Sequence, residues 1–149
     1  MDASARETLL GEWTLVAWTG IDAEGDRVHH GGESPSGELI YLPSGRMAVQ
    51  IQHSGRDRFG SRDWSAGATD ERVAAYTTYN AYCGTFSLPE RGVVVHHVEL
   101  AIHPDQPGMD KRREYVLDGA ELLLRTQDVE TAAGPASSEL RWRRRSAPR

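Results

Sequence analysis

The stretch Gly92–His103 constrains the fold more than any other: it reads Gly-Val-Val-Val-His-His-Val-Glu-Leu-Ala-Ile-His. It is rich in β-branched residues, follows the turn Pro89-Glu90-Arg91-Gly92 and stops at Pro104, which predicts one long strand. Alternation puts Val93, Val95, His97, Glu99 and Ala101 on one face and Val94, His96, Val98, Leu100 and Ile102 on the other. Both faces are largely apolar, so the strand must be covered on both sides or border an internal cavity. His97 and Glu99 then place polar groups on a mostly dry face, which makes them the leading candidate site residues.

The rest of the chain sets the frame for that strand. Its 149 residues predict one domain, residues 1–149, long enough to bury about 70% of its unfolded surface. A single cysteine, Cys83, excludes an internal disulfide and fits a reducing, cytoplasmic setting. The start, Met1 to Glu7, has neither a basic leader nor the apolar stretch of a secretory signal. No run approaches the roughly 18 apolar residues of a membrane span. A net charge of -5 argues against a nucleic-acid partner.

Taken in order, Ser4 and Glu7 predict a capped helix over Ala5–Leu10, stopped by Gly11. Glu12–Ile21 predicts the first strand, and Val28 a short return. Gly37–Leu42, the turn Pro43-Ser44-Gly45 and Arg46–Gln52 form a hairpin whose second arm alternates Met47, Val49 and Ile51 with polar or small residues. Thr69 as N-cap, Asp70 and Glu71 in the first turn and Gly84 at the end predict one inserted helix. Its stripe comprises Ala75, Tyr79 and Tyr82, widened by Val73, Tyr76 and Cys83. Strands resume at Thr85–Leu88, the central stretch, Arg112–Leu117, Glu121–Thr126 and, after a loose loop, Glu139–Arg143.

About eight strands joined mostly by short turns favour an all-β, up-and-down antiparallel barrel with one inserted helix, whose interior holds side chains or one small ligand. Two packed sheets would use the same alternation and form the alternative.

Five stretches together resemble the lipocalin-like domain family of small bacterial and fungal proteins. They are Leu10-Gly11-Glu12-Trp13, Gly37 to Tyr41 running into Ser44-Gly45-Arg46-Met47, Ala81 to Phe86, Val95-His96-His97-Val98-Glu99, and Arg112-Arg113-Glu114-Tyr115. Gly11-Glu12-Trp13 also resembles the Gly-x-Trp signature of lipocalins proper, where the Trp packs at the closed end of the barrel against a late arginine. That resemblance implies Arg141 or Arg143 for the role, and an eight-stranded barrel around an apolar pocket. Relatives range from uncharacterised binders to cyclases and isomerases of polyketides and other natural products.

For His97 and Glu99 two readings stand: a hydrogen-bonded pair that stiffens the barrel or sits on a wet face, or a pocket-lining pair. In the second, the carboxylate favours the imidazolium while burial opposes it, tuning the histidine for proton transfer near neutral pH. Only one of Arg112 and Arg113 can face inward. Parity with Tyr115 selects Arg113, as a partner for Glu99 or for a ligand carboxylate or enolate. The pocket wall is expected to include Tyr41, Met47, Val49, Tyr79, Tyr82, Val95 and Tyr115, with Tyr79 and Tyr82 stacking on a planar ligand. His96, His97, Glu99 and His103 cluster in sequence, but His96 points away from the His97–Glu99 face, so no metal is expected, and no motif calls for a cofactor.

Three function classes follow. One is a binder of a small, largely apolar molecule. Another is a cofactor-independent cyclase or isomerase of a polyketide-like or terpenoid substrate using His97, Glu99 and Arg113. The third is a structural or interaction role. Whether His97 and Glu99 meet inside the pocket separates the first two. No sequence feature supports a membrane partner or a homodimer, edge-paired or mouth-to-mouth.

Overall fold

The computed structural model describes residues 3–131 and 134–146, with side chains described for all of these except 127–135. Its elements are α1 (Ala3–Leu9), β1 (Gly11–Ile21), β2 (Arg27–His29), β3 (Ser36–Tyr41), β4 (Arg46–Gln52), α2 (Thr69–Thr77), β5 (Tyr79–Glu90), β6 (Val93–Ala101), β7 (Asp110–Asp118), β8 (Glu121–Thr131) and β9 (Gly134–Arg144). From β3 to β9 each strand pairs antiparallel with the next. β1 pairs on one side with β3, Trp13 opposite Leu39, and on the other with β9, Leu15 opposite Trp142. That second pairing closes an eight-strand barrel, with β2 a short arm along the end of β1. Closure leaves no long open edge and excludes the two-sheet alternative.

Alternation inside the wall gives the core. Trp13, Leu15, Leu39, Tyr41, Met47, Val49, Ile51, Tyr82, Val94, Val98, Leu122, Leu124, Leu140 and Trp142 are buried together. One end is plugged by α1, whose Leu9 is fully buried. Helix α1 begins at Ala3, so Ser4 lies within it rather than capping it. Trp13 Nε1 donates to the Leu9 carbonyl at 3.0 Å. The arginine stacked on Trp13 is Arg144, its guanidinium carbon 4.2 Å from the ring, and it also donates to the Leu10 carbonyl at 2.8 Å. Because Trp142 faces inward, Arg141 and Arg143 face out, and only Arg144 reaches the Trp13 end; Arg143 pairs with Glu121 instead.

The helix is shorter than its pattern predicted. The hydroxyls of Thr77 and Thr78 bond back to the carbonyls of Val73 and Ala74, and the chain then becomes β5. β4 has a free edge there, and Tyr79–Thr85 pair with Arg46–Gln52 along its whole length. Pairing overrides local helical periodicity. None of the residues of α2 is buried, so the expected packed stripe is not formed. The loose loop expected after Thr126 is largely strand, a continuation of β8 and β9; its tip, residues 132–133, lies outside the described residues.

A β-bulge lies in the central pair. Cys83 is opposite Leu100 and Gly84 opposite Val98, which leaves Glu99 as the extra residue on β6. The strand's alternation resets there: Val94, His96 and Val98 face inward, and beyond the bulge Ala101, opposite Tyr82, takes the inward side. Gly84 permits this close approach, because a Cβ at that position would lie 1.9 Å from the His97 carbonyl oxygen. Gly84→Ala is therefore expected to destabilise the barrel by about 3 kcal/mol or more, since neither backbone can move without breaking ladder bonds. Chemical denaturation of the variant checks this, and a loss under about 1 kcal/mol would remove the bulge's claim to be tightly packed.

Candidate ligand-binding site

β6 delivers a different histidine to the interior from the one the alternating pattern singled out. His96 is 1% exposed and sits between two inward-facing tyrosines. Tyr41 Oη on β3 lies 2.6 Å from its Nε2, and Tyr82 Oη on β5 lies 2.7 Å from its Nδ1. Burial, with Arg113 and then Lys111 adding positive charge, pushes the His96 pKa down to about 3. The ring is neutral at ordinary pH, so it donates from one nitrogen and accepts at the other. Burial likewise raises the Tyr82 and Tyr41 hydroxyls, Tyr41 well above the ordinary range. Phe86 packs edge-on against Tyr41, ring centres 4.7 Å apart.

β7 brings the cations. Its partly buried residues are Lys111, Arg113, Tyr115 and Leu117, alternating with exposed Asp110, Arg112, Glu114, Val116 and Asp118. Arg113 stands opposite Val94, donates to the Arg112 carbonyl at 3.0 Å, and its charge acts on the Tyr82 hydroxyl. Lys111 stands opposite His96, with Nζ 4.2 Å over the Tyr82 ring and donating to Gln106 Oε1 at 2.7 Å. Burial and then the Arg113 charge lower the Lys111 pKa to about 8. The interior thus holds a hydrogen-bonded line, Tyr41–His96–Tyr82, extended by the Arg113 charge beside Tyr82, with Lys111 on its flank.

The structure corrects the inward placement of His97 and Glu99. His97 lies on the outer wall between Ser87, whose Oγ is 2.7 Å from Nε2, and Asp110, whose Oδ1 is 2.7 Å from Nδ1. Glu99, with its side chain 51% exposed, pairs with Arg46 at 2.5 Å on the outer surface. The two share a side of β6, but it is the outer one, because the partner residues on β5 there are Thr85 and Ser87. Val95, of the same parity, also faces out. Tyr79 lies outside as well: its hydroxyl bonds Gln50 Oε1 and Arg56 stacks 5.1 Å from its ring centre. Both Tyr79 and Tyr82 belong to β5 rather than to α2.

Arg113, Tyr115, Tyr41, Met47, Val49 and Tyr82 do lie on the inner side of the wall. Of the predicted residues, the structure brings Tyr41, Tyr82 and Arg113 together around His96 and leaves His97, Glu99, Val95 and Tyr79 outside. Sequence reasoning missed His96 and Lys111. The available signal was the neighbouring strand: polar Thr85 and Ser87 alternate with Tyr82, Phe86 and Leu88, so pairing to β5 would have assigned His97 to the wet side.

A family model of the lipocalin-like domain matches residues 10–145. The chain belongs to the lipocalin-like domain family. No curated protein matches the sequence. In this lipocalin-like barrel the Gly-x-Trp corner and its arginine occupy the plugged end, while the polar chain crosses the interior between β3, β5, β6 and β7. No helix among the described residues is long and apolar enough to cross a membrane.

The buried neutral imidazole has a pH consequence. The folded pKa lies below the ordinary value near 6.5, so the unfolded chain binds the extra proton first, and stability is lost as pH falls from about 6.5 toward about 3. Relative to His96→Gln, which keeps a donor and an acceptor between the two phenols, the wild type is expected to lose up to about 1.4 kcal/mol per pH unit in that window. Urea denaturation of both proteins from pH 7.5 to 4.5 checks this; a constant difference between them would mean that His96 is not held neutral.

Proposed function

We propose that this barrel binds a small, largely apolar molecule, with the molecule's polar end directed at the Tyr41–His96–Tyr82–Arg113 line. What carries the reading is that line itself: hydrogen-bonded Tyr41, His96 and Tyr82 with the Arg113 charge beside them, four members on four different strands in a largely apolar interior. Buried polar groups are a weak source of stability compared with well-packed apolar ones. A few convergent polar groups in an apolar enclosure are what orients a ligand. The lining on this reading is Met47, Val49 and Leu124 with Tyr41, Tyr82 and Tyr115.

The cyclase or isomerase alternative required His97 and Glu99 in the interior. Their outward ion pairs and hydrogen bonds withdraw that support and leave Arg113 alone of the three on the inner side. Binding without turnover is accordingly the better reading.

The test is a neutral fluorescent probe, N-phenyl-1-naphthylamine, together with native mass spectrometry of the protein as isolated. Saturable probe binding is expected, weakened roughly tenfold by Val49→Phe, which fills the interior, and unchanged by Val95→Phe on the outer wall. No saturable binding, or equal loss from both substitutions, would defeat the reading.

A further inference from the structure

We infer that the molecule taken up by this barrel carries a negatively charged oxygen, a carboxylate or an ionised enol or phenol on an apolar body, held against Arg113 with Lys111 beside it. The inference rests on the ligand-binding reading above and adds the charge of what is bound.

On the outer wall five arginines are matched: Arg46 with Glu99, Arg112 with Glu90, Arg125 with Glu139, Arg143 with Glu121 and Arg145 with Glu38. On the inner side of the wall, no strand position with a described side chain carries an aspartate or glutamate, yet β7 sends in both Lys111 and Arg113. Arg112 and Arg113 are neighbours in sequence with opposite fates: the outward one pairs with a carboxylate, while the inward one donates to the Arg112 carbonyl and, among the described side chains, faces phenols and an imidazole. A partly buried cation without a counter-charge is unfavourable, and a bound anion offsets that cost.

Hydrogen-bond accounting points the same way. Tyr41, neutral His96 and Tyr82 hold three polar hydrogens between them and share two hydrogen bonds, so one phenol hydrogen has no acceptor among the described residues. The Arg113 charge acts on both phenol hydroxyls and on the His96 ring. The indole N–H groups of Trp18 and Trp142 are also buried, with no partner among the described residues, Trp142 being 1% exposed. What the interior has to spare is therefore hydrogen-bond donors and positive charge. The complement is an acceptor with negative charge. A guanidinium meets a carboxylate or enolate with paired hydrogen bonds, while Lys111 supplies a point charge. The lowered pKa of Lys111, caused by burial and then by Arg113, is consistent with two cations left facing each other.

The experiment uses two probe pairs of equal shape and different charge, decanoate with decan-1-ol and 2-naphthoate with 2-naphthalenemethanol, titrated calorimetrically into the full chain at pH 7. At least one carboxylate is expected to bind roughly tenfold or more tighter than its alcohol. Arg113→Met and Arg113→Gln are expected to erase that preference, and Lys111→Met to reduce it. Arg112→Met, one residue away on the outer wall, should leave it intact. Equal binding of acid and alcohol to the wild type, or a preference that survives both Arg113 variants, overturns the anion inference and leaves apolar binding standing. Failure of all four probes to bind overturns the binding reading and this inference with it. Should both Arg113 variants fail to fold, the wild-type ratio and its response to Lys111→Met decide the matter.

Discussion

The antiparallel pairing of β1 with β9 is the constraint on which everything else depends. Those strands are more than a hundred residues apart in sequence, and their pairing turns a ribbon into a wall with an inside and an outside. Only then does strand alternation acquire meaning, since each residue is assigned to a dry lumen or to water. The plugged end secures the same closure, because Trp13 on β1 is held by the Leu9 carbonyl and by Arg144 from the last turn of β9. An aromatic ring between a carbonyl and a guanidinium joins the first and last thirds of the chain without any disulfide.

The closed wall also separates charge. Its outer surface is studded with arginine–carboxylate pairs, which are individually weak in water. Inside, two cations of β7 lie beside a neutral imidazole and phenols whose pKa values are raised. The same residue type therefore does different work on the two sides. Outward Arg112 is a solvated partner for Glu90, whereas inward Arg113 shifts the titration of Tyr41, Tyr82 and His96 from a position where screening is poor.

Much of the fold was legible because its signals are local. The β3–β4 hairpin, its turn at Ser44-Gly45 and the strand at Gly92–His103 follow from alternation and turn chemistry. Arg113 was placed on the inner side by parity with Tyr115. The errors arose where a distant partner overrode a local pattern. Tyr79 and Tyr82 carry helical spacing, but the free edge of β4 drew them into β5. His97 and Glu99 occupy an apolar-looking face, but Thr85 and Ser87 across the ladder mark that face as wet. The late arginine implied by the lipocalin resemblance is Arg144 rather than Arg141 or Arg143, since those two face water once Trp142 faces in.

By itself the sequence determined the strand periodicity, the turns, a single-cysteine chain without disulfides and the family to which these motifs belong, because each of these is encoded in neighbouring residues. Only the tertiary structure decided which of two adjacent histidines enters the barrel and which cations of β7 face inward. On a strand with two apolar faces, inside and outside differ by a shift of one residue. That shift is set by the register with β5 and by the bulge at Glu99, which Gly84 admits from the facing strand.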